Sequence, residues 1–450
     1  MQKIPVRVAI KVRPLLKREI SPAEAYCCKA YPDQQQIKFS KNKWFTFDQV
    51  YDQYSTQKEI FESSVRSLID NFFNGVNSTI LAYGQTGSGK TYTMGTWYQR
   101  ELSEKDRGIL PRAINEIFAK ISSMPEREFS LRVSFIEIYK EEIRDMLDKE
   151  SVSKEIFIRE DEAGNNVVTY LIEKPVKTKE DILDCLEEGV SLRVTRSTQM
   201  NEISSRSHCI FTIKMTQRYQ DKDSNDRINE KIVFSKFHFV DLAGSERVRK
   251  TGNIGERFKE SIHINIGLLA LGNVISSLST NKNKKFRHIP YRQSKITRIL
   301  KDSLGGSSLT LMICCISPAL SNFEESFSAA TYASRVRNIE NVPMSNVVES
   351  KLEVDSSHKL EMMNREIEDL RMIVEKKNSN IQSLKKLCIS AKMTNQPMYQ
   401  RKIKSESPLI INIFLVVLFQ QRMKNLPIKC TLMRKQWKIL TKTSDLRKTG

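Results

Sequence analysis

No Cys-x-x-Cys pair occurs in the 450 residues, and the eight cysteines (27, 28, 185, 209, 314, 315, 388 and 430) and five histidines are not spaced as zinc ligands. That excludes the common zinc modules and a disulfide framework. The cysteines read as free thiols, which suits a reducing cytosol or nucleus. No secretory leader is expected, because residues 1–11 hold no long apolar stretch. No apolar run is long enough to span a bilayer: residues 409–419 (LIINIFLVVLF) have eleven residues with Asn412 inside, against the roughly 20 a spanning helix needs. No internal repeat is found. The sequence is not short of core-forming material, since 39% hydrophobic residues exclude global disorder. With 73 Lys and Arg against 53 Asp and Glu, the net charge is +20, so a polyanionic partner is expected: nucleic acid, an anionic membrane or an acidic protein surface. The last fifty residues hold twelve Lys/Arg and two Asp/Glu, about half of that excess.

Strands and helices alternate over the first 340 residues. Period-two or buried apolar patterns predict strands at 4–12, 44–50, 78–83, 131–139, 209–218, 231–240 and 309–317. Apolar residues at helical spacing predict helices at 56–73, 179–193, 261–279, 293–304 and 323–339. This order implies an α/β domain with a mixed central sheet flanked by helices. Residues 341–350 read as a linker. A heptad then runs through Leu360, Met363, Ile367, Leu370, Val374, Lys377, Ile381, Leu384 and Cys388, so 351–390 is expected to form a short coiled-coil neck, weakened by Lys377 in a core slot. Residues 391–450 are a basic irregular tail, disordered or an artefact of the gene model.

Three motifs carry chemistry. Gly84, Gln85, Thr86, Gly87, Ser88, Gly89, Lys90 and Thr91 match GxxxxGK[ST], after a strand and before a helix. The glycines let backbone N–H groups curl around phosphates, and Lys90 is placed to meet the β- and γ-phosphates. Thr91 supplies a hydroxyl for Mg²⁺. Asp241, Leu242, Ala243, Gly244, Ser245 and Glu246 follow the strand 231–240. There Asp241 suits a carboxylate holding magnesium through its water shell, and the Gly244 N–H suits a γ-phosphate. The run Asn201–His208 is polar; its serines, Ser204 and Ser205, can complete a magnesium shell, and Arg206 can pair with Glu246 to close the two loops.

These motifs, in this order, resemble the kinesin motor family over residues 3–345. GQTGSGKT is similar to its P-loop, NxxSSRSH to its switch I, and DLAGSE to its switch II. IKVRPL resembles its adenine-binding corner, which implies that Lys11, Arg13 and Pro14 line the base with Tyr92 on the other side. LALGNVISSL (269–278) resembles the helix after switch II, and YRQSKITRIL (291–300) the loop and helix facing the track. Sequence around 158–161, 199–202 and 332–339 is nearest the chromokinesin branch and its Costal-like ciliary relatives. The resemblance implies a P-loop ATPase stimulated by microtubules. ATP and Mg²⁺ would be bound by Lys11, Arg13, Pro14, Gly84 to Tyr92, Asn201, Ser204 and Ser205. Thr91, Ser205 and Asp241 would be metal ligands, and Lys90, Arg206, Gly244 and Glu246 would be the catalytic set. It also implies tubulin as partner, plus-end movement, a homodimer through the weak coil, and residence on cytoplasmic microtubules, with cilium or spindle as alternatives. The basic residues Lys282, Lys284, Lys285, Arg287, His288, Arg292, Lys295 and Arg298 fit an acidic track surface; nucleic acid fits less well, because no aromatics are interleaved for base stacking. Ile203, Gln293 and Ile266 depart from the family pattern at a switch or on the track face. A guanine-specific NKxD is absent, since Asn281-Lys-Asn ends in Lys284. The other reading kept open is a slow or non-motile scaffold that binds microtubules.

Overall fold

The computed structural model describes residues 2–20, 26–40, 42–99, 101–148, 156–161, 164, 166–198, 206–222, 228–246, 256–280 and 288–351. These belong to one compact unit, Met1–Leu352. The heptad, the basic tail, Lys282, Lys284, Lys285, Arg287, Asn201, Ile203, Ser204 and Ser205 lie outside the described residues.

A mixed sheet of ten strands forms the spine. Its order across the sheet is Lys174–Val176, Glu128–Tyr139, His208–Lys222, Ile228–Asp241, Ser78–Tyr83, Leu309–Ile316, Arg7–Val12 and Gln49–Tyr51, with two further strands paired off this path. Ser78–Tyr83 runs parallel to both neighbours, while Glu128–Tyr139, His208–Lys222 and Ile228–Asp241 form antiparallel pairs. Parallel strands buried on both faces read as near-continuous apolar runs, and STILAY and LTLMICCI do so apart from Ser78, Thr79 and Thr310. Side-chain alternation splits the core. Ile80 and Ala82 pack with helices Arg66–Phe73, Ile109–Ser122 and Lys179–Thr198, whereas Leu81 and Tyr83 pack with Glu256–Ser279, Lys295–Ile299 and Phe323–Val336.

Several elements differ from the sequence reading. The strand expected at 4–12 divides at Val6: Ile4–Pro5 pairs with Glu340–Asn341, and Arg7–Val12 enters the central sheet. The 44–50 strand is two, Lys43–Thr46 in a three-stranded meander and Gln49–Tyr51 on the central sheet. The helix predicted at 56–73 is opened by a reciprocal Thr56–Glu59 capping box and contains a π-turn, Phe61–Val65. The helix predicted at 293–304 shrinks to Lys295–Ile299. Ser294 caps it with an extended backbone, and a turn containing Gly305 at φ +79° follows it. Helix Ile109–Ser122 had no counterpart in the sequence reading. The segment expected to link motor and coil is itself ordered: Asn346–Lys351 lies antiparallel on Ile228–Asp241. No described helix is long and apolar enough to cross a membrane.

Candidate functional site

The site lies at the carboxyl ends of Ser78–Tyr83 and Ile228–Asp241, where two parallel strands deliver the glycine loop and Asp241 side by side. Gly84 has φ +142°, and a Cβ there would come within 2.1 Å of the Cys315 carbonyl, so only glycine lets the chain leave the strand at this point. Gly87 and Gly89, at φ +75° and +94°, face open space and leave the cradle unobstructed.

The buried Lys90 ammonium donates to the Gln85 carbonyl at 2.9 Å across the loop. Burial lowers its pKa, opposed by the charges of Asp241 and Glu246. A dehydrated cation in this position gains most when an anion arrives. The Thr91 hydroxyl donates to Asp241 Oδ2 at 2.6 Å, and the Thr96 hydroxyl reaches the same oxygen at 3.1 Å. Asp241 Oδ1 is buried and has no hydrogen-bond partner. Oxygen donors alone, with one carboxylate oxygen left over, fit a hard cation such as Mg²⁺. The Ser88 hydroxyl is a second buried polar group without a partner in the loop.

Switch II meets the P-loop directly. Glu246 accepts from the Thr86 N–H at 2.8 Å and from its hydroxyl at 2.5 Å, and Ser245 N–H donates to the Gly84 carbonyl at 3.1 Å. A Cβ on Gly244 would sit 2.3–2.4 Å from the Glu246 carboxylate and the Thr86 hydroxyl, so any larger residue would have to displace this Glu246–Thr86 contact. The pairing expected of Glu246 was with Arg206; here its carboxylate rests on Thr86.

The base corner differs in part from expectation. Arg13 is buried: it donates to the Gly87 carbonyl at 2.8 Å and grips Glu19 with both terminal nitrogens at 2.6 and 2.7 Å. Pro14 and Tyr92 are exposed, as base-lining groups need to be. Lys11 is turned inward: its ammonium donates to Thr93 at 2.9 Å and lies 5.1 Å from the Tyr92 ring centroid. Burial lowers its pKa.

Four side chains around the switches were given no role from the sequence: Glu137, Arg193, Ser207 and His208. Arg193 Nε reaches Glu137 at 3.2 Å, and Ser207 bridges the pair, accepting from Arg193 at 3.0 Å and donating to Glu137 at 2.7 Å. His208 Nδ1 accepts from the Ala243 N–H at 3.0 Å, tying the end of switch I to switch II. Burial, then the charges of Lys90 and Arg193, push its pKa down to about 4, so the ring is neutral. Its place in NxxSSRSH was the available signal. Arg193 and Glu137 had none, since they sit 56 positions apart on a helix and a strand.

Among the basic residues expected to face a track, the described ones include side chains with structural partners. Arg298 donates to the Ile158 carbonyl at 2.6 Å, and Arg292 pairs with Glu160 at 3.2 Å, so part of the patch holds the hairpin Phe157–Glu160 / Asn166–Thr169 in place. Gln293 accepts from Asn273 at 3.0 Å and fastens this segment to helix Glu256–Ser279. Ile266 and Leu269 of that helix are exposed.

A P-loop strand beside a parallel strand ending at Asp241, with Glu246 hydrogen-bonded back to the P-loop, defines a nucleotide-binding P-loop protein. The family model for the kinesin motor domain matches residues 11–339, and the chain belongs to that family. It is 50% identical over 350 residues to mouse (Mus musculus) kinesin-like protein KIF27, covering 77% of this chain and 25% of that protein. It is 51% identical over 337 residues to zebrafish (Danio rerio) kinesin-like protein kif7, covering 75% of this chain and 24% of that protein. Human (Homo sapiens) chromosome-associated kinesin KIF4A is 48% identical over 346 residues, covering 76% and 27%. These are the branches the sequence pointed to. The chain spans about a quarter of the length of these curated relatives. A solved structure described as a fast kinesin matches with TM-score 0.68 and 35% identity, over 78% of this chain and 96% of that one.

Proposed function

We propose that this chain is an ATP-driven, plus-end-directed microtubule motor whose ATPase is stimulated by the track. The observation that carries the reading is the Thr91–Asp241 contact with Asp241 Oδ1 left over, beside the dehydrated Lys90. Lys90 and the loop amides would bind the β- and γ-phosphates, with Arg13, Pro14 and Tyr92 around the base. Thr91, Asp241 and Ser205 would hold Mg²⁺, which neutralises phosphate charge during transfer. Asn201 and Ser204 would close over the phosphates from switch I.

Glu246 rests on Thr86, and a γ-phosphate contact at Gly244 would draw the loop so that Glu246 meets Arg206 and the pair orients the lytic water. Losing that phosphate would release both loops, an order–disorder switch. The Asn346–Lys351 strand on Ile228–Asp241 supports a linker that docks and undocks with the cycle, and its place after the motor supports plus-end movement. Residues 351–390 would pair two chains through a weak coiled coil, on cytoplasmic or ciliary microtubules.

The test is steady-state ATPase of residues 1–352 with and without microtubules, plus gliding on polarity-marked filaments. Stimulated turnover and gliding with minus ends leading support the motor. Track binding with unstimulated turnover would favour a scaffold, and minus-end-directed movement would overturn the polarity.

A further inference from the structure

We propose that Glu141 is a positioning residue for track stimulation, clamping helix Lys295–Ile299 against Gly267 of helix Glu256–Ser279 and, through His208, against switch II. The proposal rests on the motor reading above.

Glu141 occupies a tight hairpin between Glu128–Tyr139 and Glu142–Asp145, in which Tyr139 pairs with Glu142. The two loop residues, Lys140 and Glu141, have φ of +51° and +62°. Two successive positive φ values are the mark of a turn that ordinarily takes Asn-Gly or Gly-Gly, and neither residue here is of that kind. Such a local mismatch persists when surrounding contacts determine it, and it points to a task for the side chain.

The contacts of Glu141 show what that task is. Its carboxylate accepts from the Ser294 hydroxyl at 2.8 Å and from the Lys295 N–H at 2.7 Å, the first residues of the track-facing helix. Ser294 in turn caps Ile296 at 3.2 Å. The Glu141 Oε1 that accepts from Ser294 also faces Gly267. A Cβ on Gly267 would lie 3.1 Å from His208 Nε2, 3.3 Å from Glu141 Oε1 and 3.7 Å from Ile296 Cγ2. One glycine of the switch II helix is therefore surrounded by the end of switch I, the hairpin carboxylate and the track-facing helix. From His208 the path continues through a hydrogen bond to the Ala243 N–H, next to Gly244. Contiguous packed contacts of this kind can carry coupling between sites when both bias the same element. Here that element is helix Glu256–Ser279.

The experiment uses the full chain, measuring ATPase against microtubule concentration for wild type, Glu141→Ala, Glu141→Gln, Gly267→Ala and the double variant Glu141→Ala/Gly267→Ala. Removing the carboxylate should leave basal turnover and half-saturating microtubule concentration within about twofold, and lower the maximal stimulated rate about fivefold, within the range by which network residues modulate coupling. Glu141→Gln, which keeps the volume and one acceptor, should fall between and guards against misfolding of the Ala variant. Gly267→Ala should act in the same direction. The double variant should show less than the product of the two single effects, because truncating Glu141 removes one of the two closest atoms the added methyl would meet, the other being His208 Nε2. A stimulated rate unchanged in both Glu141 variants would overturn the proposal. So would a raised half-saturation at unchanged maximal rate, the signature of a helix cap that only builds the binding face, or effects that multiply in the double variant. Absence of stimulation in wild type would instead overturn the motor reading, and the coupling with it.

Discussion

Replacing Arg193 by Ala tests the buried ion pair beneath switch I. Arg193 and Glu137 have side-chain exposures of 4% and 1%, and they share Ser207, which follows Arg206 in the switch motif. Truncation leaves the Glu137 carboxylate buried with Ser207 as its remaining hydrogen-bond donor and Arg144 at 3.7 Å. Removing one partner of a buried pair destabilises by about 3–5 kcal/mol. The remaining contacts of Glu137 put this case near the lower end, about 3 kcal/mol. For the unit Met1–Leu352, roughly 350 residues at about 2.1 cal/mol/K each, the unfolding entropy is about 0.7 kcal/mol/K, so the midpoint should fall by about 4 °C. Calorimetry or dye-reported melting reads this directly. Arg193→Met with Glu137→Met removes both charges and should regain at least half the loss, because a buried pair exchanged for apolar groups is often neutral. A midpoint within about 1 °C of wild type for Arg193→Ala, or a double variant worse than the single, would refute the reasoning.

Lys90→Ala should lower ATP turnover by several orders of magnitude, on the scale of losing an arginine finger, and near-normal turnover would sink the site assignment. His208, with its folded pKa near 4 against about 6.5 unfolded, takes up its proton only on unfolding in mild acid. Stability is therefore lost as pH falls below 6.5, by about 1.5 kcal/mol from this residue between pH 6.5 and 5, and His208→Asn should flatten that slope in denaturant titrations at several pH values. Identical slopes would remove His208 from the account. A chain ending near residue 390 should dimerise weakly in sedimentation, and Ile367→Asp with Leu370→Asp should abolish the dimer; a strict monomer at tens of micromolar would refute the coil.

Much of the architecture was legible because its signals are local. A parallel strand buried on both faces is mostly apolar, so residues 78–83 and 309–316 declared themselves, their few polar residues Ser78, Thr79 and Thr310 being buried with hydrogen bonds. A phosphate cradle needs glycines at fixed offsets from a Lys and a hydroxyl, so residues 84–91 were readable without any knowledge of what they pack against. The branch of the family was legible for the same reason, in short runs of consecutive residues. Helix ends and strand breaks were read less well. Ser294 ends the pattern of one element and Val6 divides another through hydrogen bonds to distant segments, and periodicity carries no trace of these.

The tertiary structure alone decided who meets whom. Lys11 carries the same charge in the sequence whether it faces a base or Thr93, and the fold turned it inward. Glu246 had two available partners, and the approach of Gly244 and Thr86 set it on the P-loop. Glu137 with Arg193, His208 with Ala243, and Glu141 with Ser294 join residues between 35 and 153 positions apart. A sequence specifies the chemical type of each such group through its own side chain. Its partner is specified only when the sheet order brings distant strands and helices into register, because burial then makes every charge and hydrogen bond answer to a particular neighbour.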